Sequence, residues 1–396
     1  MKKYFIIIIL LLLFFMPLWM YIWWKYSSIK PFNILILDKT VLVQPGQEHS
    51  SINWVLKNEQ YVKWDSTHYD IARDYMGFYP FKNKKYYTNG LEKRDTNQIN
   101  VLAESIDAAY IADCYGIYRN DWYDGDVREY SKIIYGGMHK NDVHLMKKLV
   151  SQKKLLIAEF NCMASPTPKK VKSEFEELYA IKWTGWIGRY FDELDSNKNV
   201  ELPRWAIRNY DRFHSDKWDF SGQGIVLVNE SGRVEVLEDR RHLNGVAPNI
   251  ISNEAEQKRF GIPEEMRYPF WFEINLSSRK NNVISVYKLN TNSLGDSILS
   301  ANNILKVFPA VIERKVEGKN MYYFAGDFAD NPIDYNLSKF KKIEWLKKLS
   351  INTEVKGERE SFFYDFYLPM MRTILDDYYS KLPKDKVRSE IPIYRF

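Results

Sequence analysis

Cysteine is nearly missing from this chain: Cys114 and Cys162 are the two in 396 residues. A disulfide-stapled scaffold is therefore excluded, and the fold has to rest on a buried core. Both cysteines follow stretches that read as strands. If those strands are neighbours the sulfurs can meet, and an oxidising exterior would permit one bond; two small buried residues is the plainer reading. Histidine is scarce too. The six residues are scattered, and no Cys pair has the spacing of a zinc site. A phosphate loop of the Gly-x-x-x-x-Gly-Lys type and a dinucleotide fingerprint are both absent, so no cofactor and no metal are expected. Internal repeats and low-complexity stretches are absent beyond the N-terminal apolar run. Long blocks of one charge are absent as well. The net charge of +6 is spread, and short clusters such as Lys82-Asn83-Lys84-Lys85 sit among Tyr and Asn. That pattern describes a solvated face, and no nucleic-acid partner is expected.

Aromatic residues are plentiful, with 12 Trp, 28 Tyr and 22 Phe. They suit wide packed surfaces or stacking against flat ligands such as sugar rings. The N-terminus carries the one long apolar run. Tyr4–Trp24 has no charge, follows Met1-Lys2-Lys3, and is long enough to cross a bilayer as a helix. Trp19, Tyr21, Trp23 and Trp24 crowd its far end, where amphipathic rings favour the headgroup layer. A cleaved signal peptide needs a shorter apolar core and small residues at the cut, which Ser27-Ser28 supplies poorly. The expectation is an uncleaved single-pass anchor in the cell membrane, with the C-terminal bulk outside the cytoplasm.

Residues 1–32 thus read as anchor and linker. Between Asn33 and Ala180, apolar runs (Asn33–Leu37, Asp107–Asp113, Lys132–Met138, Leu155–Phe160) alternate with helix-period segments (His49–Lys57, Asn141–Ser151, Pro168–Ala180). This alternation predicts an α/β domain over 33–190, a parallel flavodoxin-like sheet flanked by helices. Tyr69–Gln98 reads as a long loop region. Over 191–335 the texture becomes β-rich. Ile225–Asn229 and Arg233–Leu237 flank a hairpin turn at Glu230-Ser231-Gly232, and four further strand-like runs follow. These strands either extend the first sheet or pack on it. Residues 336–396 hold amphipathic closing helices, the second interrupted by Pro369.

Ligands of open parallel sheets sit outside the carboxyl ends of the strands. Those ends carry Asp38 and Lys39, then Asp113 and Tyr115, then Gly136 and Gly137, and finally Glu159, Asn161, Cys162 and Ser165. Glu48 and His49 open the first helix and lean toward the same edge. Carboxylates, a lysine, a histidine and a thiol beside one crevice can support acid–base or nucleophilic chemistry, with Cys162, Glu159 and Asp113 as catalytic candidates. Each also has a local reading: Asp38 and Asn161 as caps, Ser165 in a turn hydrogen bond, Gly136-Gly137 as a tight turn, His49 as a surface helix residue. Glu159 inside an apolar strand needs a partner, for which Lys39 or Arg189 would serve.

Ile133-Ile134-Tyr135-Gly136-Gly137, a helix, and then Leu155-Leu156-Ile157-Ala158-Glu159-Phe160-Asn161-Cys162-Met163-Ala164 resemble the core of class I glutamine amidotransferase-like domains. That superfamily includes trehalose-utilisation-type proteins and the trimerisation domain of some beta-galactosidases. The resemblance implies Cys162 as nucleophile on a sharp turn and Gly136 and Gly137 lining an oxyanion pocket. The departures are concrete. Asn161 and Met163 flank the cysteine where catalytic members carry glycine, and no His-x-Glu occurs anywhere in the chain. The chain is also similar to a group of uncharacterised bacterial membrane-anchored proteins sharing Asp38-Lys39-Thr40-Val41, Glu48-His49 and Trp183-Thr184-Gly185-Trp186-Ile187-Gly188-Arg189-Tyr190. In the last segment, Trp186 and Arg189 read either as an aromatic and guanidinium platform for a glycan or as a packed connection.

The functional expectation is a non-amidotransferase binding or assembly protein of the cell envelope. Its expected partners are the membrane, through the N-terminal helix, and a surface glycan or an envelope protein. The alternative is a hydrolase or transferase using Cys162 or the carboxylates Asp38, Asp113 and Glu159.

Overall fold

The computed structural model describes residues 4, 14–44, 48–125, 131–245, 248–316, 318–355 and 357–383. Its centre is a sheet whose first strand, β1 (Ile34–Asp38), is buried at every position, as its unbroken apolar run requires. The helix α1 (Ser50–Asn58) leads toward β2 (Met76–Pro80), which forms a hairpin with β3 (Tyr86–Asn89). This hairpin occupies the stretch predicted as loop. Gly77 and Pro80 disguise β2, yet the glycine is what allows it. A Cβ at Gly77 would lie 1.5 Å from the Asp38 carbonyl oxygen, so only a bare backbone can pair with β1 there.

The helix α2 (Thr96–Ser105) begins with a capping box between Asp95 and Gln98 and precedes β4 (Ala108–Asp113). The predicted strand at Lys132–Met138 does not join the main sheet. Among the described residues, Ile133–Tyr135 pairs with Ile117–Tyr118 in a small separate ribbon. Next come α3 (Lys140–Ser151), capped by His139 with Asp142, and β5 (Leu155–Ala158). The helix α4 (Lys169–Tyr179) then feeds β6 (Ile181–Phe191).

β6 contains the whole Trp183–Tyr190 segment and lies in a second, four-stranded antiparallel sheet. Its neighbours are β7 (Gly224–Asn229) and β9 (Trp271–Ser277), with β8 (Val234–Glu238) outside β7. Phe191, Leu194, Ala206, Val226 and Val236 form a small separate core on this lobe. The remaining strands return to the main sheet. β10 (Asn281–Lys288), β11 (Val307–Val316) and β12 (Lys319–Phe324) run antiparallel to one another, and β12 then pairs parallel with β5.

The ten-stranded sheet is therefore mixed, not the purely parallel one expected. Five adjacent strands, in the order β2-β1-β4-β5-β12, run parallel, and antiparallel strands extend both sides. The main core is continuous across them and is closed by an aromatic cluster of the last helix, where Phe362, Phe363, Phe366 and Tyr367 pack inward. That helix changes to a π-helical turn at Phe363–Tyr367 and runs on without a break into α5 (Leu368–Tyr379), so Pro369 lies inside a continuous helical run, directly after the wider turn.

At the N-terminus a further helix covers Met16–Tyr26. It is 11 residues long, and among the described residues no helix is long and apolar enough to cross a membrane. Residues 5–13 of the expected anchor lie outside the described residues.

Candidate functional site

Four neighbouring parallel strands each deliver a carboxylate at their carboxyl end. Asp38 ends β1 and Asp113 ends β4, in register with each other. Glu159 follows β5, and Asp327 lies three residues past β12. Glu48 reaches this edge from the segment leading into α1, and Asp330 lies just beyond Asp327. Parallel strands put all their carboxyl ends on one rim, which is why residues as distant in the chain as Asp38 and Asp327 converge there.

Asp38 and His49 are fully buried and face each other, with Nδ1 2.5 Å from Oδ2. The other ring nitrogen, Nε2, lies 2.8 Å from the Ile71 carbonyl oxygen. A carbonyl only accepts, so Nε2 carries a hydrogen. The short Nδ1–Oδ2 contact then needs a second proton, either on Nδ1 or on Asp38. Tyr75 packs against the ring, 4.6 Å between centroids.

Asp113 is braced on three sides. Its Oδ1 accepts from the Thr40 hydroxyl at 2.7 Å and the Tyr115 amide at 2.5 Å, and its Oδ2 accepts from the Asn161 side chain at 3.0 Å. Asn161 reaches it from a left-handed backbone turn (φ 65°), a conformation asparagine tolerates better than most residues. Burial nevertheless pushes the Asp113 carboxyl up to about 7, with Asp38 adding to the rise against these hydrogen bonds. Burial likewise raises Glu48 well above the usual carboxylate range, helped by Asp38, Asp330 and Asp113, and its Oε2 is buried without a hydrogen-bond partner. Asp327 is raised by burial and then by Asp330, Asp113 and Glu159, with Arg359 opposing. Burial thus raises Glu48, Asp113 and Asp327 together.

Glu159 has partners other than those anticipated. Its oxygens accept from the Tyr110 hydroxyl and from the amides of Phe328 and Ala329, at 3.1 and 3.0 Å. Burial raises it as well, and it ties the end of β5 to the segment after β12. Lys39 turns away from the rim to Asp142 at 2.6 Å and to the Gly137 carbonyl at 2.9 Å. Burial alone would lower its amine, but Asp142, Cys114 and Glu92 outweigh that and raise it.

The features taken from the amidotransferase resemblance do not assemble. Cys162 is fully buried against Cys114, and burial followed by Cys114 holds its thiol well above the ordinary range. A reactive cysteine needs the opposite, a lowered pKa and access. The Gly137 amide is already spent on the Cys114 carbonyl at 2.7 Å. Gly136 lies against Gly116, where a Cβ would come within 2.5 Å of that Cα, so this turn is a close backbone crossing. Ser165 is exposed, before a cis bond to Pro166. Tyr115 is exposed and packs on Tyr118. Trp186 is buried, its carbonyl accepting from the Trp183 indole at 3.0 Å, so it presents no platform.

Arg189 does come toward the rim, and with it a wall that the sequence did not reveal. Its guanidinium lies 5.3 Å from both the Phe270 and the Trp271 ring centres, and Arg359 covers Phe270 at 3.5 Å. Trp271 is partly exposed, stacks on Phe160 at 6.4 Å, and accepts the Asp327 amide at 3.2 Å through its carbonyl. Asp327, Asp330, Arg359 and Trp271 were not singled out. The signal for Asp327 was its place just after a strand run, but only the β5–β12 pairing shows that this strand joins the parallel set. Among the described residues, no group of three or more His, Cys, Asp or Glu is arranged to hold a metal ion.

Fold and rim together define an α/β protein with a carboxylate-rich edge beside an aromatic and guanidinium wall. No family model and no curated protein matches the chain. Among solved structures, a ThuA-like protein from Bacteroides uniformis ATCC 8492 is 8% identical with a TM-score of 0.33, over 88% of this chain and 93% of that one. A structure described as a novel carbohydrate deacetylase is 8% identical with a TM-score of 0.31, over 76% of this chain and 30% of that one. Likenesses this distant carry no functional argument.

Proposed function

We propose that this is a membrane-attached protein of the cell envelope, facing away from the cytoplasm, that binds a glycan at the carboxylate rim. One observation carries the reading: Asp38, Asp113, Glu159 and Asp327 stand at the ends of four adjacent parallel strands, next to the partly exposed Trp271. The carboxyl groups are buried, and those of Asp38, Asp113 and Glu159 are already hydrogen-bonded within the protein, so they brace this edge, while the partly exposed Trp271 beside them offers an indole that suits the apolar face of a pyranose. The apolar sequence before Phe14 and the exposed apolar side of the helix Met16–Tyr26 support the attachment.

The test is a binding screen of envelope polysaccharide fragments against the full chain in mild detergent, with Asp113→Asn and Trp271→Ala beside it. Both variants should weaken binding at least about tenfold, about 1.4 kcal/mol. Absence of any glycan ligand, or equal binding by all three proteins, would refute the reading.

A second reading, hydrolysis of the bound glycan, is favoured by the Asp113 carboxyl at about 7, where one group can serve as acid and as base. It requires turnover with a pH limb near 7 that disappears in Asp113→Asn. Thiol catalysis through Cys162 is not proposed.

A further inference from the structure

The helix Met16–Tyr26 is apolar on two sides. Met20 and Trp24 are buried against the body of the protein. The Trp24 indole donates to the Lys57 carbonyl at 2.9 Å, and the Lys341 amide donates to the Met20 carbonyl at 3.1 Å. Opposite them runs an unpartnered stripe at helical spacing: Phe15, Leu18, Trp19, Trp23 and Tyr26 are 43%, 48%, 55%, 54% and 78% exposed. Chain continuity adds to it, because the residues preceding Phe14 are the apolar run Phe5–Leu13.

Shortly after the docking contact at Lys341 comes a second exposed apolar pair. Phe340 packs on Tyr21, and the short helix Glu344–Ser350 follows at once. Its Trp345 and Leu349, four residues apart and so on one face, are 57% and 85% exposed. Five lysines and one glutamate lie between residues 339 and 348. Lys341, Lys347 and Lys348 are paired with Glu59, Glu360 and Asp365. Lys57 and Lys339 crowd each other beside His68, which stacks on Trp24, and Lys25 is exposed. Burial, then the like charge of Lys339, lowers the Lys57 amine against the charge of Asp70, and the amine lies 4.4 Å from the Tyr335 ring centre.

We infer that the exposed stripe of the N-terminal helix and the Trp345–Leu349 face form one surface that lies in the headgroup layer of an anionic bilayer. The domain is thereby held at the membrane by two contacts and in one orientation. Exposed Trp, Phe and Leu flanked by Lys is the composition of interfacial elements, and anionic lipid supplies the complement to Lys25, Lys57 and Lys339. The inference rests on the membrane attachment proposed above, and goes beyond it by adding a second element and a fixed orientation.

The test uses the full chain in vesicles of phosphatidylglycerol and phosphatidylethanolamine. Nitroxide labels are placed singly through Trp345→Cys, Leu349→Cys and, as a control on the other lobe, Val200→Cys. Cys114 and Cys162 are fully buried, which keeps them from the label, and Val200 is 72% exposed. Positions 345 and 349 should collide with a water-soluble nickel chelate at least about threefold less than position 200, and with oxygen more, as at an interface. Equal chelate access at all three positions, with the chain floating with the vesicles, would overturn the second contact and leave the attachment standing. Failure to float would overturn both. Spin–spin broadening that vanishes on dilution with unlabelled chain would assign the face to a second copy and overturn the lipid assignment.

Discussion

Replacing Asp113 by asparagine should stabilise the protein at about pH 8 and slightly destabilise it at about pH 4. Asp113 is 3% exposed, and burial pushes its carboxyl up to about 7. In the unfolded chain an aspartate titrates near about 3.9. Between those two values the folded protein holds a proton that the unfolded chain has released. Stability therefore falls as the pH rises from about 4 to about 7, and is flat above. Three pH units amount to about 4 kcal/mol.

Asparagine has no such slope. Its oxygen can take the Thr40 and Tyr115 donors, and Asn161 can turn its amide over to accept from the new one. An imperfect fit there takes back about 1 kcal/mol. The expected difference is thus a gain of about 3 kcal/mol at pH 8 and a loss of about 1 kcal/mol at pH 4. Guanidinium unfolding of both full chains in mild detergent at the two pH values measures it. A difference that is the same at both, or a variant less stable at pH 8, would refute the account of Asp113 as a buried acid destabilised by its own charge. Loss of ligand binding in the stabilised variant is the signature of a site that trades stability for function.

Other outcomes follow from the same physics. Burial would raise Glu313, but two 2.7 Å hydrogen bonds from Arg259 and its charge hold the carboxyl at about 2. Stability from a lowered acid is complete above its unfolded value and lost as pH falls toward the folded one. Glu313→Gln should therefore cost about 3 kcal/mol at neutral pH, and little near pH 2, by denaturant midpoints. Glu159→Ala strands the Phe328 and Ala329 amides and leaves the Tyr110 hydroxyl only Tyr367, and should cost about 3–5 kcal/mol, whereas Glu159→Gln should cost about 1, in thermal or chemical unfolding. In a thiol titration, neither cysteine should react in the native protein and both should react in denaturant; a fast native thiol would contradict the burial of Cys162.

The strands and helices of Asn33–Ala180 were legible because a strand or a helix writes its period into consecutive residues. β1, β4 and β5, with α1, α3 and α4, fall close to where apolar runs and helical spacing put them. Glu48, His49, Asp38 and Asp113 could be assigned to one edge by the rule that parallel strands share their carboxyl ends. The β2–β3 hairpin was not legible, since Gly77 and Pro80 are loop signals until the Asp38 carbonyl beside them is known.

What tertiary structure alone decided is which distant pieces are neighbours. Nothing near Met321–Phe324 says that it pairs with Leu156–Ala158, and that pairing makes Asp327 the fourth carboxylate of the rim. Nothing near Cys162 says that its sulfur is shut away, or near Glu159 that its partners lie almost 170 residues on. Local period is a property of the backbone and survives in any short window. Register, burial and pKa depend on what closes over a residue, and this chain brings that from its other end.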